Sequence, residues 1–298
     1  MTPQKKSYLL AITAVAFWST IATAFKITLR HIGFVELLFF ASLTSTVVFA
    51  VYLSFSGRLA GVFRHPPRRL LAMAFAGILN PFLYYLILLR AYELLPAQEA
   101  GTLNYAWPVV LVLLSVPLLG QKIGWSGILS VFISFTGILL ISTHGDLTGF
   151  RFSNPVGVAL ALTCPFVWAL YWIINMKIPG ADVEKLFVGF LTGTLLIGIT
   201  HSITGKWSVP SLPGLAGALY AGFFEMGITF ILWLKALKLS KTTAHISNLV
   251  FLSPFLSLFY IHLFVGESIL PSTIAGLFLV VGGILFGQYA PVEKIFRK

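Results

Sequence analysis

The strongest candidate for chemistry in this sequence is a single acidic residue inside a long apolar stretch. Glu225 lies at the middle of positions 213–237, where most neighbours are apolar. A carboxylate at the centre of a membrane costs roughly 2.5 to 3.5 kcal/mol, so this side chain is expected to face other helices and not lipid. Two interpretations stay open. Glu225 binds a substrate ammonium or a proton, or it forms a buried hydrogen bond that holds helices together.

Aromatic and amide side chains recur at helical spacing and could form a pocket around this carboxylate. Trp168 and Tyr171 share one helix face, and Asn80 and Tyr84 share another. A mostly apolar lining with a few polar groups is typical of a small-molecule site. The same aromatic residues could instead pack in the core or anchor the chain at the membrane surface. The binding residues predicted from these patterns are Asn80, Tyr84, Asn104, Trp107, Trp168, Tyr171, Glu225 and Asn248.

Two prolines are expected to bend the helices that carry the remaining pocket residues. Pro108 and Pro254 stand inside apolar stretches. A proline inside a helix frees a carbonyl group and kinks the helix. The sequence therefore predicts hinges at Pro108 and Pro254 that would permit gating.

Motifs for enzymatic chemistry are absent from the sequence. It contains no HExxH, no Walker loop and no GxSxG, and no second carboxylate in mid-stretch accompanies Glu225 for acid and base work. Cys164 is the one cysteine, which excludes an intrachain disulfide and a cysteine-based metal cluster. We therefore expect no enzyme activity, no cofactor and no metal. An intramembrane enzyme and a receptor or assembly protein without transport remain the alternatives of another class.

Ten apolar stretches, each about 20 residues long, would position these residues. A bilayer core about 30 Å thick takes roughly 20 helical residues to cross, and a spanning helix satisfies its own backbone hydrogen bonds. The composition agrees, with 58% hydrophobic and 10% charged residues. The first stretch is long for a signal peptide and is expected to be retained. The predicted spans are 8–29, 35–55, 70–92, 97–118, 123–143, 154–174, 185–204, 213–237, 242–264 and 271–289.

The distribution of basic residues predicts the orientation of the chain. The formal net charge is +11, but the basic residues are scattered among the joints and form no patch suited to nucleic acid. With both termini cytoplasmic, fifteen of the twenty lysines and arginines face the cytoplasm, as the positive-inside rule requires. A multi-pass protein of the bacterial inner membrane is expected. The five basic residues on the other side are Lys26, Arg30, Arg90, Arg151 and Lys206.

The second half of the chain repeats the first at a nearly constant offset. Gly77 corresponds to Gly222 at an offset of 145, and Pro108 corresponds to Pro254 at 146. Each repeat has five helices, and an odd number inverts the second repeat relative to the first, which suits alternating access around a midplane site. Chance recurrence of glycine and proline is the alternative. We place the first repeat at residues 1–147 and the second at 148–298.

Glycines four residues apart in two helices predict close helix packing. The pairs lie at 189 and 193 and at 283 and 287. Such spacing lets helix backbones approach, either within one chain or at a dimer face. Contacts within the chain are the favoured interpretation because ten helices have many neighbours. A monomer or a weak homodimer is therefore expected.

With these features the chain resembles the drug/metabolite transporter superfamily and its EamA-type exporters. The resemblance covers essentially the whole chain and includes Gly266-Glu267 after the ninth helix. The first repeat departs from it, with Gln121 after Gly120 where the family often has glutamate, so any role of that acidic residue is carried over only to Glu267. Trp18 and the pair Asn104-Tyr105 are most similar to YddG-type exporters of aromatic and other neutral amino acids.

The resemblance implies an all-α membrane protein with ten helices in two inverted repeats of five. It also implies secondary transport without ATP hydrolysis, with an amino acid as the small-molecule substrate. Trp18 joins the predicted binding residues on this basis. A broad exporter of amphipathic drugs and metabolites is the alternative within the same class.

Overall fold

The computed structural model of the chain is a bundle of apolar helices, and it describes residues 1–120, 125–146, 152–205, 209–240 and 248–289. Seven helices in these ranges are long and apolar enough to cross a membrane. Two shorter apolar helices and one interrupted helix bring the described spans to ten. They are α1 (Pro3–Thr28), α2 (Phe34–Phe55), α3 (Pro67–Leu94), α4 (Ala97–Asn104 and Trp107–Leu119), α5 (Trp125–Ser142), α6 (Pro155–Lys177), α7 (Asp182–Thr204), α8 (Leu212–Leu239), α9 (Leu249–Val265) and α10 (Pro271–Tyr289).

Most observed helix ends lie within three residues of the predicted ones, and the start of α1 differs by five. This helix begins at Pro3, five residues before the predicted position 8. The Thr2 side chain accepts a hydrogen bond from the Lys5 amide at 3.3 Å, and Pro3 occupies the first turn. Both features favour a helix start. Hydropathy places the boundary later because it does not register a polar first turn.

The helices α3 and α8 each contain a π-helical segment at equivalent positions. In α3 the segment is Ile78–Leu83, and in α8 it is Gly222–Gly227. Asn80 has a non-helical backbone (φ −145°, ψ 119°), and the Asn80–Pro81 peptide bond is cis. Such bulges rotate the residues that follow relative to those before, so helical spacing does not carry across them.

The prolines predicted to bend α4 and α9 lie near the start of helical segments. In α4 the helix is interrupted after Asn104, and the second segment begins at Trp107 with Pro108 next to it. In α9 a short 3₁₀ turn, Asn248–Phe251, precedes the segment that contains Pro254. Proline is tolerated in a first helical turn, where its missing N–H would have no partner. The breaks therefore precede the prolines instead of centring on them.

Glycines bring α3 and α8 into backbone contact with helices of the other half. A Cβ atom at Gly77 would overlap the backbone of Gly189 in α7. A Cβ atom at Gly222 would overlap Ala41 and Thr44 in α2. These two crossings are reciprocal, since Gly222 stands 145 positions after Gly77. The predicted boundary between the repeats, at 147 and 148, lies outside the described residues and stays a prediction.

The paired helices α5 and α10 form a second close contact between the halves. Ser130 donates a hydrogen bond to the Gly283 carbonyl at 2.6 Å, and Ser134 donates to the Val280 carbonyl at 3.2 Å. A Cβ atom at Gly287 would lie against Ser130. The glycine pair at 283 and 287 thus packs within this chain.

Candidate functional site

A cavity of about 530 Å³ lies inside the bundle, between helices of both halves. We call it the central cavity. Helices α1, α3, α4, α5, α6, α8, α9 and α10 line it, and within the described ranges α2 and α7 contribute no lining residue. A volume of 300 to 1,000 Å³ with a mainly apolar lining is typical of small-molecule sites. The central cavity is therefore large enough for a metabolite of the size of an amino acid.

Aromatic rings in mutual contact form one continuous wall of the central cavity. Trp18 lies with its ring centroid 5.2 Å from that of Trp233 and 6.3 Å from that of Phe230. Trp168 continues the wall, 6.3 Å from Phe230 and 4.6 Å from Tyr84. Aromatic pairs at these separations stabilise one another, so the wall is held as a unit. We call these five residues the aromatic wall.

Glu225 lines the central cavity beside the aromatic wall. The Tyr85 hydroxyl donates a hydrogen bond to Oε1 of Glu225 at 3.0 Å, and the Trp18 indole N–H makes a long bond of 3.4 Å to the Glu225 carbonyl. Tyr85 is completely buried on α3. A carboxyl group inside the bundle, with a partner on the opposite half, agrees with the expectation that Glu225 avoids lipid.

Asn104 supplies a second polar group to the central cavity, at the break in α4. Its Nδ2 donates to the Tyr84 hydroxyl at 2.8 Å. Its Oδ1 is buried and has no hydrogen-bond partner in the protein. Buried polar atoms are normally paired, so this oxygen lacks a donor that the described protein groups do not supply.

Eight of the eleven predicted binding and gating residues line the central cavity, and their roles remain predictions. They come from α1, α3, α4, α6, α8 and α9, which the sequence separates widely. Asn248 begins the 3₁₀ turn before α9, and its side chain lies outside the described residues. The eight are Trp18, Tyr84, Asn104, Trp107, Pro108, Trp168, Glu225 and Pro254.

Asn80 and Tyr171 lie behind the aromatic wall and do not line the central cavity. Asn80 is 1% exposed, lies beside the Tyr171 hydroxyl, and makes no hydrogen bond of normal geometry through its side chain. Tyr171 packs on Trp168 with a centroid distance of 5.8 Å. The expectation that Asn80 and Tyr84 share a cavity-facing surface does not hold, because the backbone leaves helical geometry between them.

Two buried residues with polar contacts were not singled out from the sequence. Tyr85 stands beside another tyrosine, and nothing in the spacing distinguishes it from other aromatic residues. Glu99 is 1% exposed, with its Oε2 3.1 Å from His144 Nε2 and accepting from Ser153 at 2.6 Å. It lies near the start of an apolar stretch, and a glutamate at such a position is ordinarily interpreted as a surface residue. Only the three-dimensional contacts show that it is buried.

The end of the bundle at which α3 ends and α4 begins, the far end, is held by Glu267. Its Oε1 accepts from the Ala97 amide at 2.7 Å, and its Oε2 accepts from the Gln98 amide at 3.1 Å. The Gln98 side chain accepts in turn from the Leu270 amide at 3.0 Å. A carboxylate at a helix N-terminus binds its free N–H groups and favours the positive end of the helix dipole. The turn between α9 and α10 is thereby fastened to α4.

Lys26 closes the same end of the bundle from α1. Its ammonium donates to the carbonyls of Tyr92 at 2.8 Å and Leu95 at 2.5 Å, at the C-terminus of α3. A cation there satisfies carbonyl groups that have no partner within the helix.

Charged residues join the two halves at the opposite end, which we call the near end. Glu184 of α7 accepts from Arg58 at 2.5 Å, and its second oxygen lies 3.0 Å from His65 Nε2. Within the second half, Asp182 pairs with Lys238 of α8 at 3.0 Å at the same end. Contacts between the halves thus flank the central cavity at both ends.

The chain matches the EamA-like transporter family twice, over residues 5–143 and 155–287. It is similar to two proteins named "Aromatic amino acid exporter YddG". One, from Ancylobacter novellus, is 26% identical over 227 residues, covering 76% of this chain and 77% of that protein. The other, from Salmonella typhimurium, is 24% identical over 244 residues, covering 78% and 80%.

Two further similarities extend over nearly the whole chain. A "Probable terminal-alkyne amino-acid exporter" of Streptantibioticus cattleyicolor is 23% identical and covers 96% of this chain and 94% of that protein. A solved crystal structure, 22% identical, superposes with a TM-score of 0.68 over 94% of this chain and 96% of its own, which shows the fold. The predicted fold class, ten membrane helices in two inverted repeats of five, is confirmed. The protein belongs to the EamA-like transporter family.

Proposed function

We propose that this integral membrane protein is a secondary exporter of aromatic and other neutral amino acids. It works by alternating access, without ATP hydrolysis. The central cavity opens to one side of the membrane to take up a solute and then to the other side to release it. The observation that carries the proposal is the central cavity itself, with an aromatic wall beside one carboxyl group. An aromatic wall suits an apolar or aromatic side chain, and the carboxyl group suits an ammonium.

Alternating access requires contacts that break at one end of the cavity while those at the other end form. Glu267 and Lys26 are placed to do this at the far end, and Glu184 with its partners at the near end. Each contact links chain segments that are at least 66 residues apart in sequence. Opening the far end would release the α4 N-terminus from Glu267, and opening the near end would separate Arg58 from Glu184.

The orientation that accompanies this proposal puts both termini in the cytoplasm of a bacterial cell. The near end would then face the cytoplasm and the far end the outside. After Cys164→Ser, cysteines introduced at Arg64 and at Gly149 should react with a membrane-impermeant reagent from opposite sides. Reaction of both positions from the same side would contradict the proposed topology.

The direct test of the function is transport by the purified protein in liposomes. Vesicles loaded with unlabelled phenylalanine should accumulate external radiolabelled phenylalanine by exchange, and vesicles without protein should not. A Gly77→Val protein that fails to fold would serve as a matched preparation control. Absence of exchange across a panel of neutral amino acids, with protein of normal thermal stability, would refute the proposal.

A further inference from the structure

The described lining of the central cavity contains an acidic side chain and no basic one. Glu225 lines the cavity, whereas in the ranges 1–120, 125–146, 152–205, 209–240 and 248–289 no lysine, arginine or histidine does. The nearest described cation on α1, Lys26, is engaged with the end of α3 and does not line the cavity. A ligand cation therefore meets an acidic partner inside the described lining. A ligand carboxylate meets none of opposite charge.

Three neutral polar side chains of the lining each direct a donor to another group of the protein. Asn104 donates its amide to Tyr84, Gln98 donates its amide to the Ser268 carbonyl, and Ser130 donates its hydroxyl to the Gly283 carbonyl. Asn104 Oδ1 has no hydrogen-bond partner, but it is buried and offers no accessible surface to a ligand. Glu225 uses one carboxyl oxygen for Tyr85, and its second oxygen keeps its lone pairs for a ligand.

The aromatic wall adds to this preference for a positive group. A cation over the face of a tryptophan or tyrosine within about 6 Å of the ring centre is attracted by the negative face of the ring. The carboxyl group of Glu225 is held by Tyr85, whose ring lies 4.8 Å from that of Tyr84, and Trp18 is bonded to the Glu225 backbone carbonyl, so the carboxyl group lies next to the wall. An ammonium at that place would contact both. A carboxylate at the same place would face the negative side of the rings and would be desolvated without a partner.

We infer that the central cavity selects aromatic amines over the zwitterionic amino acids that carry the same side chain. The inference rests on the proposed transport function and ranks amphipathic cations with an aromatic body above amino acids as ligands of the central cavity. Free neutral amino acids still bind through their ammonium group. Their carboxylate reduces their affinity, because the described lining provides no counter-charge for it.

A series of three ligands with one phenyl body isolates the effect of charge. Phenethylamine carries a cation, phenylalanine a zwitterion and 3-phenylpropionate an anion. Binding to the purified full chain is measured by calorimetry, and transport is measured by competition with radiolabelled phenylalanine in liposomes. We expect phenethylamine to bind at least about tenfold more tightly than phenylalanine, a ratio that corresponds to about 1.4 kcal/mol, and 3-phenylpropionate to bind least.

The variant Glu225→Gln tests whether this carboxyl group is the cause. It should reduce the ratio between phenethylamine and phenylalanine to about one, while both ligands still bind through the aromatic wall. Glu93→Gln is the matched control, because Glu93 is an exposed partner of Arg90 at the end of α3 and does not line the central cavity. That control should keep the ratio of the unmodified protein. If Glu225→Gln yields an unstable protein, Glu225→Asp should preserve the order of the three ligands.

The outcomes separate the inference from the function on which it depends. Phenylalanine binding as tightly as phenethylamine, or more tightly, would overturn the inference and leave amino-acid transport intact. A ratio that survives Glu225→Gln would also overturn it, since another group would then select the cation. If none of the three ligands binds and none competes in transport, the proposed function fails together with the inference.

Discussion

The two π-helical segments begin from the same feature and end differently. Gly77 and Gly222 each cross a helix of the other half at backbone contact, Gly77 directly before its bulge and Gly222 as the first residue of its bulge. Within the first bulge Asn80 is buried beside Tyr171, without a hydrogen bond of normal geometry. Within the second bulge Glu225 reaches the central cavity and accepts a hydrogen bond from Tyr85. The two halves thus share the glycine crossing and the π-helical bulge, but they differ in the polar side chain that the bulge carries.

This difference shows that the helix contacts of the two halves are symmetric, whereas the side chains that they supply to the central cavity are not. The reciprocal glycine contacts require small residues in both halves, because a helix backbone cannot move away without separating the halves. The polar position that follows is under no such constraint. One half therefore supplies a carboxyl group to the cavity, and the equivalent group in the other half supports the wall behind it.

Replacing Gly77 or Gly222 by a larger residue should have the largest effect on stability, because the helix backbones are in contact at both crossings. We expect Gly77→Ala and Gly222→Ala to destabilise the fold by roughly 1 to 3 kcal/mol, because the new Cβ atoms overlap backbone atoms that cannot rotate aside. Thermal unfolding in detergent measures the loss. Gly282→Ala is the control, as no atom lies within 4 Å of a Cβ there. Equal stability of Gly77→Ala and Gly282→Ala would show that the first crossing is adaptable.

Removing the carboxyl group tests the functional half of the comparison. If Glu225 acts on the substrate or on a coupled proton, Glu225→Gln should reach the membrane in normal amount and lose transport or its pH dependence. If Glu225 only holds Tyr85, Glu225→Gln should transport nearly normally. Glu225→Ala should then lose about 1 to 3 kcal/mol of stability by leaving a buried hydroxyl without its partner. Normal, normally pH-dependent flux in Glu225→Gln would remove Glu225 from the site.

Removing one ring of the aromatic wall should have a smaller effect, and the loss of transport should depend on the substrate. Trp168→Ala is expected to weaken transport of phenylalanine more than transport of alanine, because the lost ring contacts Tyr84 and Phe230 along the cavity. Competition by each amino acid for exchange in liposomes gives the two affinities. Equal loss for both, or no loss at normal expression, would mean that Trp168 only packs.

The smallest effect is expected from Asn80, the counterpart of Glu225. Asn80→Leu replaces a buried amide of similar size that has no hydrogen bond of normal geometry, so stability should remain within about 1 kcal/mol or rise. The affinity for phenylalanine should not change, since Asn80 does not line the central cavity. A clear loss of affinity would place Asn80 in contact with substrate and make the two bulges functionally alike.

Hydropathy was sufficient to predict the ten spans, because each span is long and the polar joints are short. Glu225 was recognisable for a related reason, since a lone carboxyl group in an apolar helix has few structural explanations. The position of Asn80 was not predictable, because a π-helical bulge leaves no periodic signal and shifts every residue after it. The sequence also did not identify Tyr85 as the hydrogen-bond partner of Glu225. Its neighbour Tyr84 has the same residue type, and only the fold decides which hydroxyl reaches which group.

The contact between Glu267 and the start of α4 has a consequence for the synthesis of this protein. The N–H groups of Ala97 and Gln98 are completed by a carboxylate that follows about 170 residues later in the chain. While the ribosome is still translating the second half, this helix end must be solvated by water at the membrane surface. The fourth helix therefore acquires its final N-terminal cap only when the ninth helix has been inserted. A chain truncated after the first five helices would leave that end uncapped.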